Sequence, residues 1–195
     1  MNETRTLAEF ISDNFWGRRI TVLCARFVYY GTVDYVGPNV LVLEDAAKVD
    51  VIGSVGDEQP AEESALPNKL ILRLDALEIG MVTAWGKQPP RPSVRPNPPY
   101  GEETFVDYVR ERYIGKEISF LCARYFYYGR LKSISQNMAV LEDAAISEVI
   151  RGLMGEHPEV TDNIADPLLI NLGAVEFVTV PNWAQGLDKR HRDLI

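Results

Sequence analysis

Cysteine and histidine are nearly missing from this 195-residue chain, with two of each: Cys24, Cys122, His157 and His191. Two cysteines exclude a disulfide scaffold and a four-cysteine zinc site. Two histidines leave little for zinc hydrolysis or a histidine-based triad. No apolar run approaches the ~20 residues of a membrane helix. The opening MNETRTLAEF has neither a basic region nor an apolar run, so no signal peptide is expected. Basic residues are outnumbered, 20 against 28 acids, for a net charge of −8. That balance argues against broad, nonspecific nucleic-acid binding, which needs a positive field, though a local basic patch stays open. There is no glycine-rich phosphate loop, nucleophile elbow or metal-ligand spacing.

What is present is a repeat. ITVLCARFVYYGTVDYVGPNVLVLEDAA from Ile20 matches ISFLCARYFYYGRLKSISQNMAVLEDAA from Ile118, at an offset of 98 residues with no gap. Between Gly17 and Ala47, sixteen of thirty-one positions are identical to their partners, and the register extends to Glu78/Glu176 and Trp85/Trp183. Two copies are too few for a solenoid and read as duplicated domains. The expected organisation is repeat 1 over residues 1–85, a linker over 86–100, repeat 2 over 101–185, and a tail over 186–195. The linker holds six of the chain's twelve prolines and reads as a stiff, extended, solvated spacer. The tail run Lys189-Arg190-His191-Arg192 reads as a solvated end.

Each repeat opens on a helical pattern. Thr6 and Glu9 have capping-box spacing, and Leu7, Phe10, Ile11 and Phe15 follow at helical intervals; Thr104, Phe105, Asp107, Tyr108 and Val109 repeat the theme. Gly17 and Gly115 are placed to end these helices. The segment Ile20 to Tyr35 favours a pleated strand, and Gly31, like Gly129, predicts a bulge or sharp bend in it. A turn at Gly37-Pro38-Asn39, a strand over Val40 to Leu43, and an acidic variable stretch from Lys48 to Asn68 follow. Two short strands close the unit, near Leu70–Leu74 and Leu77–Val82, repeated near Leu168–Leu172 and Val175–Val180. The plan is mainly β, of the α+β kind: a helix and five short strands per copy, curved into a small barrel.

That plan resembles the Sm-like (LSm) family of small SH3-like barrels, in two tandem copies. GRLKSISQNMAVLEDA, Gly129 to Ala144, is similar to the first Sm motif, and Gly31, Val33, Asn39, Leu43, Glu44 and Asp45 repeat it. ILRLDALEIG and LINLGAVEFV resemble the second motif. The resemblance implies rings in which the fourth strand of one barrel pairs with the fifth of the next, hiding both edges. It places oligomer edges at Leu70, Ile79, Leu168 and Phe177. It also implies an RNA pocket of loop asparagine and Arg-Gly, which is only partly matched. Asn39 and Asn137 come about two residues early, and the Arg-Gly site reads Arg73-Leu74 and Asn171-Leu172, with Gly173 displaced by one.

The residues that could contact a ligand or RNA are therefore Asn39, Arg73, Asn137, Asn171, Arg26, Arg124, Tyr30 and Tyr128. Arg26 and Arg124 read equally as anion or base contacts and as ion-pair partners of Glu44 or Asp45 and their repeats. In Tyr29-Tyr30 and Tyr127-Tyr128, strand alternation sends one ring inward and one outward; the outward ring fits an oligomer interface better than a base stack. Glu44-Asp45 and Glu142-Asp143 read as a solvated strand end or as ion-pair partners, because adjacent strand residues diverge and cannot form a catalytic dyad. Cys24 and Cys122 read as buried small hydrophobes, Asn39 and Asn137 as turn residues, a place where Asn tolerates left-handed φ and can bond its own backbone, and Trp85 and Trp183 as barrel plugs. The resulting expectation is a cytoplasmic, non-enzymatic module without metal or cofactor that forms homo-oligomeric rings and serves as scaffold or adaptor. The alternative is an RNA-binding Sm-like protein. No membrane or small-molecule partner is expected.

Overall fold

A computed structural model of the chain describes residues 6–25, 27–50, 64–66, 68–82, 101–122, 125–148, 162–163 and 167–181. The chain divides into two compact units, Met1–Tyr108 and Val109–Ile195. The linker 86–100, the tail, Trp85, Trp183, Arg26 and Arg124 lie outside the described residues.

The first unit opens with α1, Leu7–Phe15, whose start is fixed by a full capping box: Glu9 N donates to Thr6 Oγ1, and Glu9 Oε2 accepts from Thr6 N. Gly17 follows at φ 68°, the left-handed position that ends a helix at little steric cost. β1 (Arg19–Cys24), β2 (Phe27–Val36), β3 (Val40–Asp50), β4 (Ser64–Ala65), β5 (Leu70–Arg73) and β6 (Leu77–Val82) follow, with a 3-10 turn, Leu74–Ala76, between the last two. They are all antiparallel, in the order β5-β3-β2-β1-β6, with the two-residue β4 also on β3. Apolar residues of β1, β2, β3 and β5 form the core, among them Ile20, Tyr29, Leu41, Leu43, Leu70 and Leu72.

The second unit repeats this. The division between units falls inside α2, Phe105–Tyr113, which leads to β7 (Glu117–Cys122), β8 (Tyr125–Ile134), β9 (Met138–Glu148), β10 (Asp162–Asn163), β11 (Leu168–Asn171), a 3-10 turn at Leu172–Ala174, and β12 (Val175–Thr179). β9 carries both β10 and β11, and the order continues β9-β8-β7-β12.

The fold is mainly β with two helices, as the sequence implies, with three differences. Ile20 to Tyr35 is a hairpin, β1 and β2, reversing between Cys24 and Phe27, where Leu23 and Val28 still face each other. Within β2, Gly31 marks the bend the sequence implies: the β2–β3 register shifts between Tyr30 and Thr32. A Cβ at Gly31 would lie 2.9 Å from Glu44 O, so only glycine lets the two backbones cross this closely. Gly129 repeats the bend against Glu142 O. β3 runs on to Asp50, into what the sequence assigns to a loop. Finally, each unit is an open sheet where the sequence plan implies a closed barrel. Among the described residues no ladder joins β5 to β6, or β11 to β12, because the 3-10 turn between them sends one strand to β3 or β9 and the other to β1 or β7.

Candidate functional site

The asparagines and the Arg73/Asn171 positions do converge. Val40 stands opposite Arg73 in the β3–β5 ladder, and Leu74 N donates to Asn39 O at 3.0 Å. Met138 stands opposite Asn171, and Leu172 N donates to Asn137 O at 2.9 Å. Each unit thus has one end built from the loop before its third strand and the 3-10 turn after its fourth long strand.

The side chains at these two ends differ in what they hold. Arg73 is engaged by Asp75: Nε donates to Oδ1 at 2.9 Å, and Nη2 donates to Oδ2, a two-pronged pair that neutralises the guanidinium. Asn171 Oδ1 accepts from Gly173 N at 2.9 Å and so caps its own 3-10 turn. Asn39 Oδ1 accepts from Phe105 N at 2.7 Å, within the first unit. Asn137 is exposed, and its side chain makes no hydrogen bond among the described residues. Neither asparagine has left-handed φ; among the described non-glycine residues that conformation falls to Asp45 and Asp143, at φ 47° and 52°.

Those two aspartates explain why Glu-Asp recurs. They lie in β3 and β9 at the register shift facing Gly31 and Gly129, where a short polar residue tolerates the left-handed turn. The bulge also undoes the expected divergence of adjacent side chains: Glu142 and Asp143 both reach Arg130 Nη2, at 3.5 and 2.8 Å. Glu142 binds Lys132 Nζ at 2.7 Å as well, and that bond holds its carboxyl below the ordinary range. Glu44 pairs instead with Lys69, which also binds Asp34, each at 2.7 Å. Burial disfavours the Lys69 charge, but the hydrogen bonds and fields of the two carboxylates outweigh it and raise the ammonium pKa.

The tyrosine pairs do not split inward and outward in the first unit. Tyr29 and Tyr30 are both buried, because this half of β2 is covered on both faces: Tyr30 packs with Val28, Ala47 and Leu23. The Arg19 guanidinium lies 6.0 Å from the Tyr30 ring centre. Tyr128 is buried against Ala145, and burial, with Glu117 nearby, pushes its hydroxyl up to about 12. Tyr127 alone of the four is only half-buried. Neither cysteine is in a disulfide: Cys24 is fully buried, and Cys122 is partly buried, its thiol pushed up to about 11 by burial.

Of the edge positions, Leu70 faces Leu43 in its ladder and is buried, Leu168 faces Leu141 and is half-buried, and Phe177 is buried with its ring edge-on to Phe126 at 5.6 Å. Ile79 faces Leu23 in the β1–β6 ladder, and its side chain lies outside the described residues. Sequence reasoning missed Asp75 and Lys69. Asp75 had a signal, since an acid two residues after Arg73 bridges a tight turn; Lys69 had none, being distant from Asp34 in the chain.

Among the described residues no three His, Cys, Asp or Glu side chains gather as a metal site, and no helix is long and apolar enough to cross a membrane. No family model matches the chain, and no characterised protein or solved structure matches it either.

Proposed function

We propose that this chain is a non-enzymatic tandem module of the Sm-like kind, each curved sheet a barrel left open at its edges, that assembles with copies of itself and serves as scaffold or adaptor in the cytoplasm. One observation carries the reading: positions equivalent by the repeat are covered in one copy and bare in the other. Ile71 of β5 is 1% exposed, whereas Leu169 of β11 is 61% exposed. Glu176 of β12 is buried, whereas Glu78 of β6 is exposed. A bare apolar edge strand at β11 is a surface that soluble proteins cover. Two cysteines that form no disulfide suit a reducing compartment.

The RNA reading is supported less. Arg73 is held by Asp75, Asn39 and Asn171 each by a backbone N–H, and Tyr30 and Tyr128 are buried, so among the described members of the set Asn137 is the unengaged one. The net charge of −8 opposes phosphate binding. The test is titration of a labelled single-stranded RNA into protein of known solution mass, at several salt concentrations. The scaffold reading expects assembly without saturable RNA binding. Tight binding that weakens steeply with salt overturns it in favour of the RNA reading.

A further inference from the structure

Within the first unit, residues 101–108 lie over the turn between β2 and β3. Gly101 N donates to Val36 O at 2.8 Å, Asn39 Oδ1 accepts from Phe105 N, and the rings of Tyr35 and Tyr108 meet with centroids 5.2 Å apart. Phe105 and Tyr108 are 2% and 4% exposed as a result. A helix start leaves backbone N–H groups without intrahelical partners, and Asn39 takes one of them.

The 98-residue offset maps this helical turn onto Leu7–Phe10 and this loop onto Ser133–Asn137. Both are bare. Leu7 and Phe10 are 50% and 47% exposed, and Asn137 presents its amide to solvent. Next to Asn137, Met138 is exposed where its counterpart Val40 is buried. Leu7 and Phe10 also line one apolar cleft with Leu77 and Glu78 of β6, so the bare helix face adjoins the bare strand of the same unit. Met138 and Asn171 are ladder partners, so the bare loop adjoins β11. Each unit thus carries one half of a contact, and the halves are complementary.

We propose that the α1 face bearing Leu7 and Phe10 docks on the β8–β9 turn of a second copy of this chain, with Asn137 accepting the backbone N–H of Leu7. This rests on the self-assembly reading above and names the surface that carries it. The contact is narrower than its counterpart in the first unit. A Cβ at Gly37 would lie 2.3 Å from Glu103 O, and Ser135 stands at the equivalent of that glycine, so this close approach is not repeated and the contact centres on the first helical turn. Because the two surfaces lie on different units, the contact is head to tail, and every copy offers one of each.

The experiment uses two double variants of the full chain, Leu7→Glu/Phe10→Glu and Asn137→Ala/Met138→Glu. All four residues are exposed, so both variants should fold, which circular dichroism checks. Masses are measured by sedimentation velocity at micromolar concentration. The expectation is a multi-chain wild type and two variants that each associate roughly thirtyfold or more weakly, the loss of a small central anchor. An equimolar mixture should then give a two-chain species, since each variant keeps the surface the other lacks. If the wild type assembles and both variants assemble equally well, the surface is wrong and self-assembly stands. If the variants are blocked but their mixture stays monomeric, the head-to-tail pairing is wrong. A monomeric wild type overturns both the self-assembly reading and this surface.

Discussion

Gly31 and Gly129 fill the same place in the two sheets, and the crowding there sets their cost of replacement. A Cβ would lie 2.9 Å from Glu44 O in the first and 2.7 Å from Glu142 O in the second, backbone atoms that cannot swing aside. Gly31→Ala and Gly129→Ala should each lower stability by about 1–3 kcal/mol, Gly129→Ala by at least as much as Gly31→Ala, read from urea midpoints. Charge at Glu142 gives a pH prediction. Its folded pKa lies below the ordinary value because Lys132 donates to it, so its contribution is present above that ordinary value and fades as pH falls through the folded one. In Lys132→Ala the carboxyl should titrate closer to the ordinary range by NMR, and an unchanged titration would remove Lys132 as the cause. At this scale the sequence was partly legible. The glycine bend could be read from a glycine inside a β-rich run. The left-handed Asp45 could not, because its φ depends on the bulge, which is a property of two strands together.

Among the elements, α2 differs from α1 in having a second support at its start. Thr104 and Asp107 form its own side-chain pair, with Thr104 Oγ1 and Asp107 Oδ2 2.6 Å apart, and Asn39 takes the next free N–H. Asn39→Ala should cost about 1 kcal/mol of unfolding free energy, because Phe105 N then loses its acceptor in a partly buried place. A change within the scatter of exposed-site substitutions, measured by urea unfolding, would show that water replaces the amide fully. Helix starts, the glycine ends and the closing strands were legible because caps and alternation are local. The β1–β2 reversal was not: Cys24-Ala25-Arg26 carries none of the Gly, Asn or Pro that announce a tight turn. The open strand order was also hidden, since closure depends on which strands pair after the 3-10 turn rather than on any residue within them.

For the whole molecule, the repeat is the fact from which the rest follows. It was fully legible, and it lets each unit serve as the reference for the other. Leu7, Phe10, Met138 and Leu169 are exposed where Phe105, Tyr108, Val40 and Ile71 are buried, and no reading of the sequence alone shows that asymmetry. The candidate ligand residues fared differently. Their convergence was legible through the motif spacing, and Asp75 left a signal two residues after Arg73, but occupation by Gly173 and Phe105 was not legible, since both act through backbone N–H groups available on any residue. Self-assembly is the central claim, and the solution mass of the unmodified chain tests it most directly. Sedimentation velocity over a range of micromolar concentrations should show the mass rising with concentration to several times that of one chain. A single-chain mass at every concentration would contradict the account.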